Sequence, residues 1–153
     1  MTSITIRPLS GHDAEAAWQI HRQVQPKPWS LATFCDCTTH PYQALAAYEH
    51  GVIGYALLLF VADEGTLMDI AVNSECRGRG VGAQLLHAAI SASEQAGMAT
   101  LWLEVRASNV IARQLYQVNY FDEIEVRKGY YDSPQGKEDA VIMKRTLQAS
   151  MRT

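Results

Sequence analysis

The sequence predicts an α/β fold: a mixed, mostly antiparallel sheet flanked by about four helices, in one domain spanning residues 1–147, with a short polar tail at 148–153. Three observations lead there. Apolar runs at 4–6, 44–48, 52–61 and 66–72 are separated by turn residues, the pattern of an antiparallel meander. A helix with a 3.6-residue apolar period, 81–95, stands between the strands 66–72 and 100–106, and a helical crossover makes such strands parallel neighbours. A chain of 153 residues also buries roughly 70% of its unfolded surface in one core, without needing a disulfide or metal staple.

Taken in order, Ile4 and Ile6 flank Thr5 in a first strand, stopped by Pro8 and Ser10-Gly11. Asp13 is placed to cap a helix in which Ala16, Ala17, Ile20 and Val24 recur at helical spacing beside Trp18, and Pro26 and Pro28 end it. Ser30 is the expected N-cap of a short second helix carrying Leu31 and Phe34, with Trp29 as a staple residue. Beyond Pro41, residues 44–48 pair with 52–61 across His50-Gly51, and Gly65 separates that hairpin from the strand 66–72. The third helix puts Val81, Leu85, Ala89 and Ala92 on one face, broadened by Leu86 and Ile90, and Gly97 stops it. Strand 100–106 turns Leu101, Leu103 and Val105 one way and Trp102, Glu104 and Arg106 the other. Ser108 or Asn109 caps a fourth helix whose apolar residues are Val110, Ile111, Leu115 and Val118. A last hairpin joins 121–127 to 140–144 through a long loop from Tyr130-Tyr131 to Gly136.

Composition narrows the function. A net charge of -3 does not suit a nucleic-acid binder, although a local basic patch suits a small anionic ligand. Three cysteines, an odd number, read as reduced thiols in a cytoplasmic protein. Cys35-x-Cys37 with His40 is short of a metal set and reads as small residues on a helix, and His12, His21, His40, His50 and His87 are scattered without metal spacing. No basic stretch precedes an apolar core at the start, and the longest apolar run, 55–62, is far below the roughly 20 residues of a membrane span.

The strand Met68-Asp69-Ile70-Ala71-Val72 leads through Asn73-Ser74-Glu75-Cys76 into Arg77-Gly78-Arg79-Gly80-Val81-Gly82 and the third helix. The first amides of a helix lack intrahelical partners and carry the positive end of its dipole, and glycine lets a phosphate approach the backbone. With Arg77 and Arg79 alongside, a pyrophosphate is the natural guest. A Walker loop would need Lys then Ser or Thr after its last glycine, and none is present. Gly78-x-Gly80-x-x-Ala83 matches a dinucleotide fingerprint, but four residues separate it from its strand and no second nucleotide-binding half follows.

The parallel strands deliver their C-terminal ends to this loop, which places Glu104 near the ligand. A carboxylate among Leu101, Trp102, Leu103 and Val105 needs a reason: an ion pair with Arg106, or work as a general base. Tyr116 is either a half-buried helical aromatic or, as a phenol, a general acid. Asn109 is first a helix cap and second a cofactor contact.

Arg77-x-x-Gly80-x-Gly82 after Ile70-Ala71-Val72 resembles the acetyl-CoA signature of the GNAT family of N-acetyltransferases. Pro28-Trp29-Ser30, Leu101-Trp102-Leu103-Glu104-Val105-Arg106-Ala107-Ser108-Asn109, Leu115-Tyr116, Tyr130-Tyr131 and Gly136-Lys137-Glu138-Asp139-Ala140-Val141-Ile142-Met143 resemble its RimI branch. That branch acetylates the N-terminal alanine of small-subunit ribosomal protein eighteen. The similarity covers nearly the whole chain after about Pro28. It implies acetyl-CoA as co-substrate with no metal, and a ribosomal protein N-terminus as partner rather than a nucleic acid or membrane. Glu104 would be the base and Tyr116 the acid. Ile70, Ala71, Val72, Arg77, Gly78, Arg79, Gly80, Val81, Gly82 and Asn109 would contact acetyl-CoA, with the Val72 amide on the thioester carbonyl. One departure is Asn119-Tyr120-Phe121, where the family reads Leu-Gly-Phe; Asn119 is expected to take the glycine's left-handed conformation. Two other functions stay open, a non-catalytic acyl-CoA-binding module and an acetyltransferase acting on a small amine.

Overall fold

The computed structural model describes residues 3–148, so the expected tail lies outside them apart from Gln148. The strands are β1 (Thr5–Pro8), β2 (Tyr42–Tyr48), β3 (Val52–Val61), β4 (Glu64–Val72), β5 (Thr100–Arg106), β6 (Asp122–Ser133) and β7 (Gly136–Thr146). The helices are α1 (Ala14–Val24), α2 (Leu31–Asp36), α3 (Val81–Gln95) and α4 (Val110–Val118), with single 3₁₀ turns at Gly11–Asp13 and Ser74–Cys76. One sheet runs in the order β1-β2-β3-β4-β5-β7-β6, and every neighbouring pair is antiparallel except β4 and β5. The expected mixed sheet and its four helices are therefore present.

Alternation along β3 explains the continuous apolar run there. Ala56 and Leu58 pack with Leu85, Leu86 and Ala89 of α3, whereas Tyr55 and Leu57 pack with Ala17 and Ile20 of α1 and Phe34 of α2. A central strand covered on both faces has no polar side to show. Ser30 caps α2 by accepting the Thr33 N–H at 3.2 Å, and Gly97, at φ 85°, follows the end of α3.

Several local expectations are corrected. β1 continues through Pro8, which an edge strand tolerates because the ladder loses no donor on its free side. Asp13 caps nothing with its side chain; its carboxylate accepts Ser10 Oγ–H at 2.8 Å and the Tyr48 hydroxyl at 3.1 Å. Ala16 is exposed, and the buried face of α1 is Ala14, Ala17, Ile20 and His21. The β3–β4 turn is Ala62-Asp63, and Gly65 lies inside β4, where a Cβ would stand 3.3 Å from Leu101 and Phe60 side-chain atoms. The β6–β7 strands run up to a tight turn at Pro134-Gln135, so Tyr130 and Tyr131 belong to a strand, with the register slipping around Gly129 at φ 61°. On α4, Val110, Ile111 and Val118 face solvent, while Ala112, Leu115 and Tyr116 pack inward.

The end of α4 also differs from expectation. Tyr120, not Asn119, takes the left-handed conformation, at φ 68° against -102° for Asn119. The Phe121 N–H reaches Tyr116 O at 3.1 Å and the Tyr120 N–H reaches Gln117 O at 3.0 Å. This is the hydrogen-bond pair of a Schellman stop, and the Phe121 ring packs on Tyr116 at 5.8 Å as such stops require. Arg145 braces the turn, donating to Asn119 O at 3.0 Å with its guanidinium 5.6 Å above the Tyr120 ring. A left-handed non-glycine residue costs about 1–2 kcal/mol and an exposed cation–π contact returns about 0.5–1. Tyr120→Gly is therefore expected to raise the urea midpoint, by up to about 1 kcal/mol of stability; a fall would mean that the Arg145 contact outweighs the strain.

Candidate active site

The β4–β5 ladder ends at Leu67 and Leu103, yet β4 runs on to Val72 and β5 to Arg106, so the two strands part. A bulge at Met68, where Leu57 and Leu58 of β3 face Asp69 and Leu67, marks the point of divergence. Since the Asn73 N–H bonds Ile53 O of β3, alternation turns the amides of Ile70 and Val72 to the opposite edge, into the gap. Helix α3 starts at the mouth of this gap. Its N-cap is Gly80, at φ 77°, with no side-chain cap for the first-turn amides, and a Cβ at Gly78 or Gly80 would meet nothing within 4 Å. The backbone at Gly78 and Gly80 is thus open to close approach.

The two arginines of the loop separate. Arg79 forks onto Glu49 at 2.9 and 2.5 Å, so its charge is already matched. Arg77 is exposed and has no ion-pair partner among the described residues.

Between the parted strands lies a cavity of about 290 Å³. Glu104 of β5 and Tyr116 of α4 both line it, as does Asn109, whose side chain also accepts the Ala112 N–H at 3.2 Å and so caps α4. Trp29 and Tyr131 contribute from the α1–α2 connection and from β6. Glu104 does not pair with Arg106. It stands 3.6 Å from Arg127 and accepts the Tyr131 hydroxyl at 3.4 Å, with 38% of its side chain exposed. Arg106 instead donates to Glu138 at 3.2 Å and to Asp132 O at 3.1 Å, and lies over the Tyr131 ring.

Burial, reinforced by the charge of Asp69, pushes the Tyr116 phenol up to about 12. It therefore keeps its proton at any physiological pH, which a donor must. Free tyrosine ionises near pH 10, so the folded state resists an ionisation that the unfolded chain accepts. The stability this gives is complete below about pH 10 and is lost as pH rises towards about 12, roughly 1.4 kcal/mol of it by pH 11. Tyr55, raised in the same direction by burial, adds to the loss. Urea unfolding at pH 9 and 11 should show Tyr116→Phe losing less stability over that interval than the native chain.

A buried cluster on the same cavity escaped the sequence reading. The Asp69 carboxylate accepts His21 Nδ1–H at 2.8 Å, the Tyr55 hydroxyl at 2.7 Å and Gln25 Nε2–H at 3.0 Å. His21 Nε2 in turn accepts the Trp29 backbone N–H at 2.9 Å, which sets the proton on Nδ1. The available signal was an acid inside the apolar strand Met68-Asp69-Ile70, the same signal that singled out Glu104.

Among the described residues no group of His, Cys, Asp and Glu is placed to hold a metal, Cys35, Cys37 and Cys76 are free, and no helix is long and apolar enough to cross a membrane. A ribosomal protein bS18-alanine N-acetyltransferase of Salmonella typhimurium is 42% identical over 91% of this chain and 95% of its own length. The crystal structure of the ribosomal-protein-S18-alanine N-acetyltransferase from Escherichia coli superposes with a TM-score of 0.90 at 37% identity, covering 95% of this chain and 94% of that one. Arabidopsis thaliana NAA60 in complex with acetyl-CoA shares the fold, with a TM-score of 0.84 at 19% identity over 95% and 99% of the two chains. The Acetyltransferase (GNAT) family matches residues 6–120, and with parted parallel strands opening on an uncapped glycine loop, the chain belongs to that family.

Proposed function

We propose that this protein transfers the acetyl group of acetyl-CoA to the α-amine of a protein N-terminus, specifically the N-terminal alanine of ribosomal protein bS18. The observation that carries the reading is the cavity itself. It sets a carboxylate, Glu104, and a protonated phenol, Tyr116, on walls that meet where the strands part. The substrate is the one in the names of the Salmonella and Escherichia relatives.

The residues fit acetyl-CoA. When bound, acetyl-CoA supplies an acetyl group as a thioester, whose carbonyl carbon an amine attacks. The amides of Gly78, Arg79, Gly80, Val81 and Gly82, with the side chain of Arg77, would hold the pyrophosphate. Ile70, Ala71 and Val72 offer the unpaired edge of β4, whose Val72 N–H would polarise the thioester carbonyl, and Asn109 would add a contact from the head of α4. Glu104 takes the proton of the attacking amine, and Tyr116 gives one to the departing sulfur. Arg79, engaged by Glu49, contributes its backbone. We take residues 1–147 as one catalytic domain and the protein as cytoplasmic, where ribosomal substrates are made.

An α-amine suits a single carboxylate base. With a pKa of about 8 it is neutral in roughly one molecule in ten at pH 7, against fewer than one in a thousand for a lysine. The test is an alanine-initiated peptide with an internal lysine, incubated with acetyl-CoA and mapped by fragment mass; acetate is expected on the α-amine. Acetate on the lysine, or turnover of a small polyamine alone, would reject the reading. Coenzyme A is expected to protect against thermal unfolding, by about 2.7 kcal/mol at 100 times its dissociation constant, where NAD does not. Protection without turnover of any amine would identify a binding module instead.

A further inference from the structure

Asp69 is an unusual wall for this cavity. Only 8% of its side chain is exposed, and the three groups that bond it, His21, Tyr55 and Gln25, are neutral donors in this arrangement: the Trp29 N–H occupies His21 Nε2 and leaves one ring proton, on Nδ1. Oδ2 accepts two of these bonds and Oδ1 one, so Oδ1 keeps a lone pair for a further donor. A buried carboxylate without a cation is expensive, and protein sites tolerate one where a charged guest completes it. The cations near the mouth are committed elsewhere: Lys27 to Asp132, Arg106 to Glu138 and Arg127 to Glu104 and Glu125. Other titratable neighbours on the cavity are Glu104 from β5, paired with Arg127, Tyr116 from α4 and Tyr131 from β6, none of them cationic.

We infer that Asp69 is the counter-ion for the substrate's α-ammonium group and makes the cleft select a free, charged N-terminus over its acetylated product. The inference rests on the α-amine reading above and assigns that substrate its charge contact. A protonated terminus enters against Asp69 and is relieved of its proton by Glu104, on the neighbouring strand. Once acylated, the nitrogen is a neutral amide, the contact with Asp69 is worth little, and the product leaves. Asp69 thus acts in binding and release, and its bracing of α1 against β4 through His21 and Gln25 holds the carboxylate in place.

The test compares the dissociation constants of two alanine-initiated peptides of one sequence, one with a free α-amine and one acetylated, measured with coenzyme A present. The native protein at pH 6.5 is expected to bind the free amine about tenfold or more tightly, as close charge pairs in interfaces do, and to lose that preference by pH 9 as the amine deprotonates. In Asp69→Asn the two peptides should bind alike, the acetylated one as in the native protein. Equal weakening of both peptides would show Asp69 to be a brace only, and a free-amine preference that survives the substitution would equally overturn the inference. If Asp69→Asn does not fold, the native protein decides: no preference at pH 6.5, or one unchanged at pH 9, rejects it. Failure to acetylate any peptide α-amine is a separate result, which rejects the proposed function instead.

Discussion

Glu104→Gln should lower turnover by about 100 to 10,000 times while leaving coenzyme A protection against heat unchanged, the range usual for removing one general base. The glutamine keeps the shape and can still accept the Tyr131 hydroxyl, so what is lost is the charge that takes the proton and faces Arg127. Stability should hardly respond, because the Glu104–Arg127 pair is partly exposed and loosely spaced at 3.6 Å. Single-turnover measurement with saturating acetyl-CoA isolates the transfer step. Full turnover would reduce Glu104 to the ion-pair partner of Arg127.

Tyr116→Phe should cost a comparable factor, at the departure of the sulfur. The ring is buried against Phe121, and phenylalanine preserves that contact, so the Schellman stop at Tyr120 should survive. A test within the variant is the leaving group: an acetyl donor whose thiol is more acidic needs less protonation and should recover rate in Tyr116→Phe more than in the native chain. Equal recovery in both would mean that Tyr116 only packs.

What was legible in the sequence follows the range of the forces involved. The limits of β5 and the start of α3 are legible to the residue, and the end of α3 closely, because each repeats an apolar period over at least seven positions and ends at a turn residue. The left-handed, open backbone at Gly78 and Gly80 is legible because glycine announces such geometry locally. His21 was not, since its partners Tyr55 and Asp69 lie 34 and 48 residues away and a lone histidine on a helix carries no spacing to interpret. The inward face of α4 is not legible from its apolar residues, since Val110, Ile111 and Val118 point to solvent while Tyr116 goes inside; hydrophobicity marks what can be buried, not what is. The ion pair with Arg106, one of the two reasons the sequence offers for Glu104, does not form, because Glu138, distant in sequence, reaches Arg106 across the sheet. The last hairpin was cut short because Pro134 and Gly136 signal a turn but give no measure of how far the strands run up to it.

The fork between Arg79 and Glu49 has a consequence for affinity. It ties the glycine loop to the β2–β3 turn in the folded chain, before any guest arrives. A loop that must be immobilised on binding forfeits about 0.5–1.5 kcal/mol for each long side chain it fixes. Here that ordering is completed for Arg79 during folding, so the anion proposed for this loop would meet one long side chain already fixed, while the glycines leave the backbone accessible.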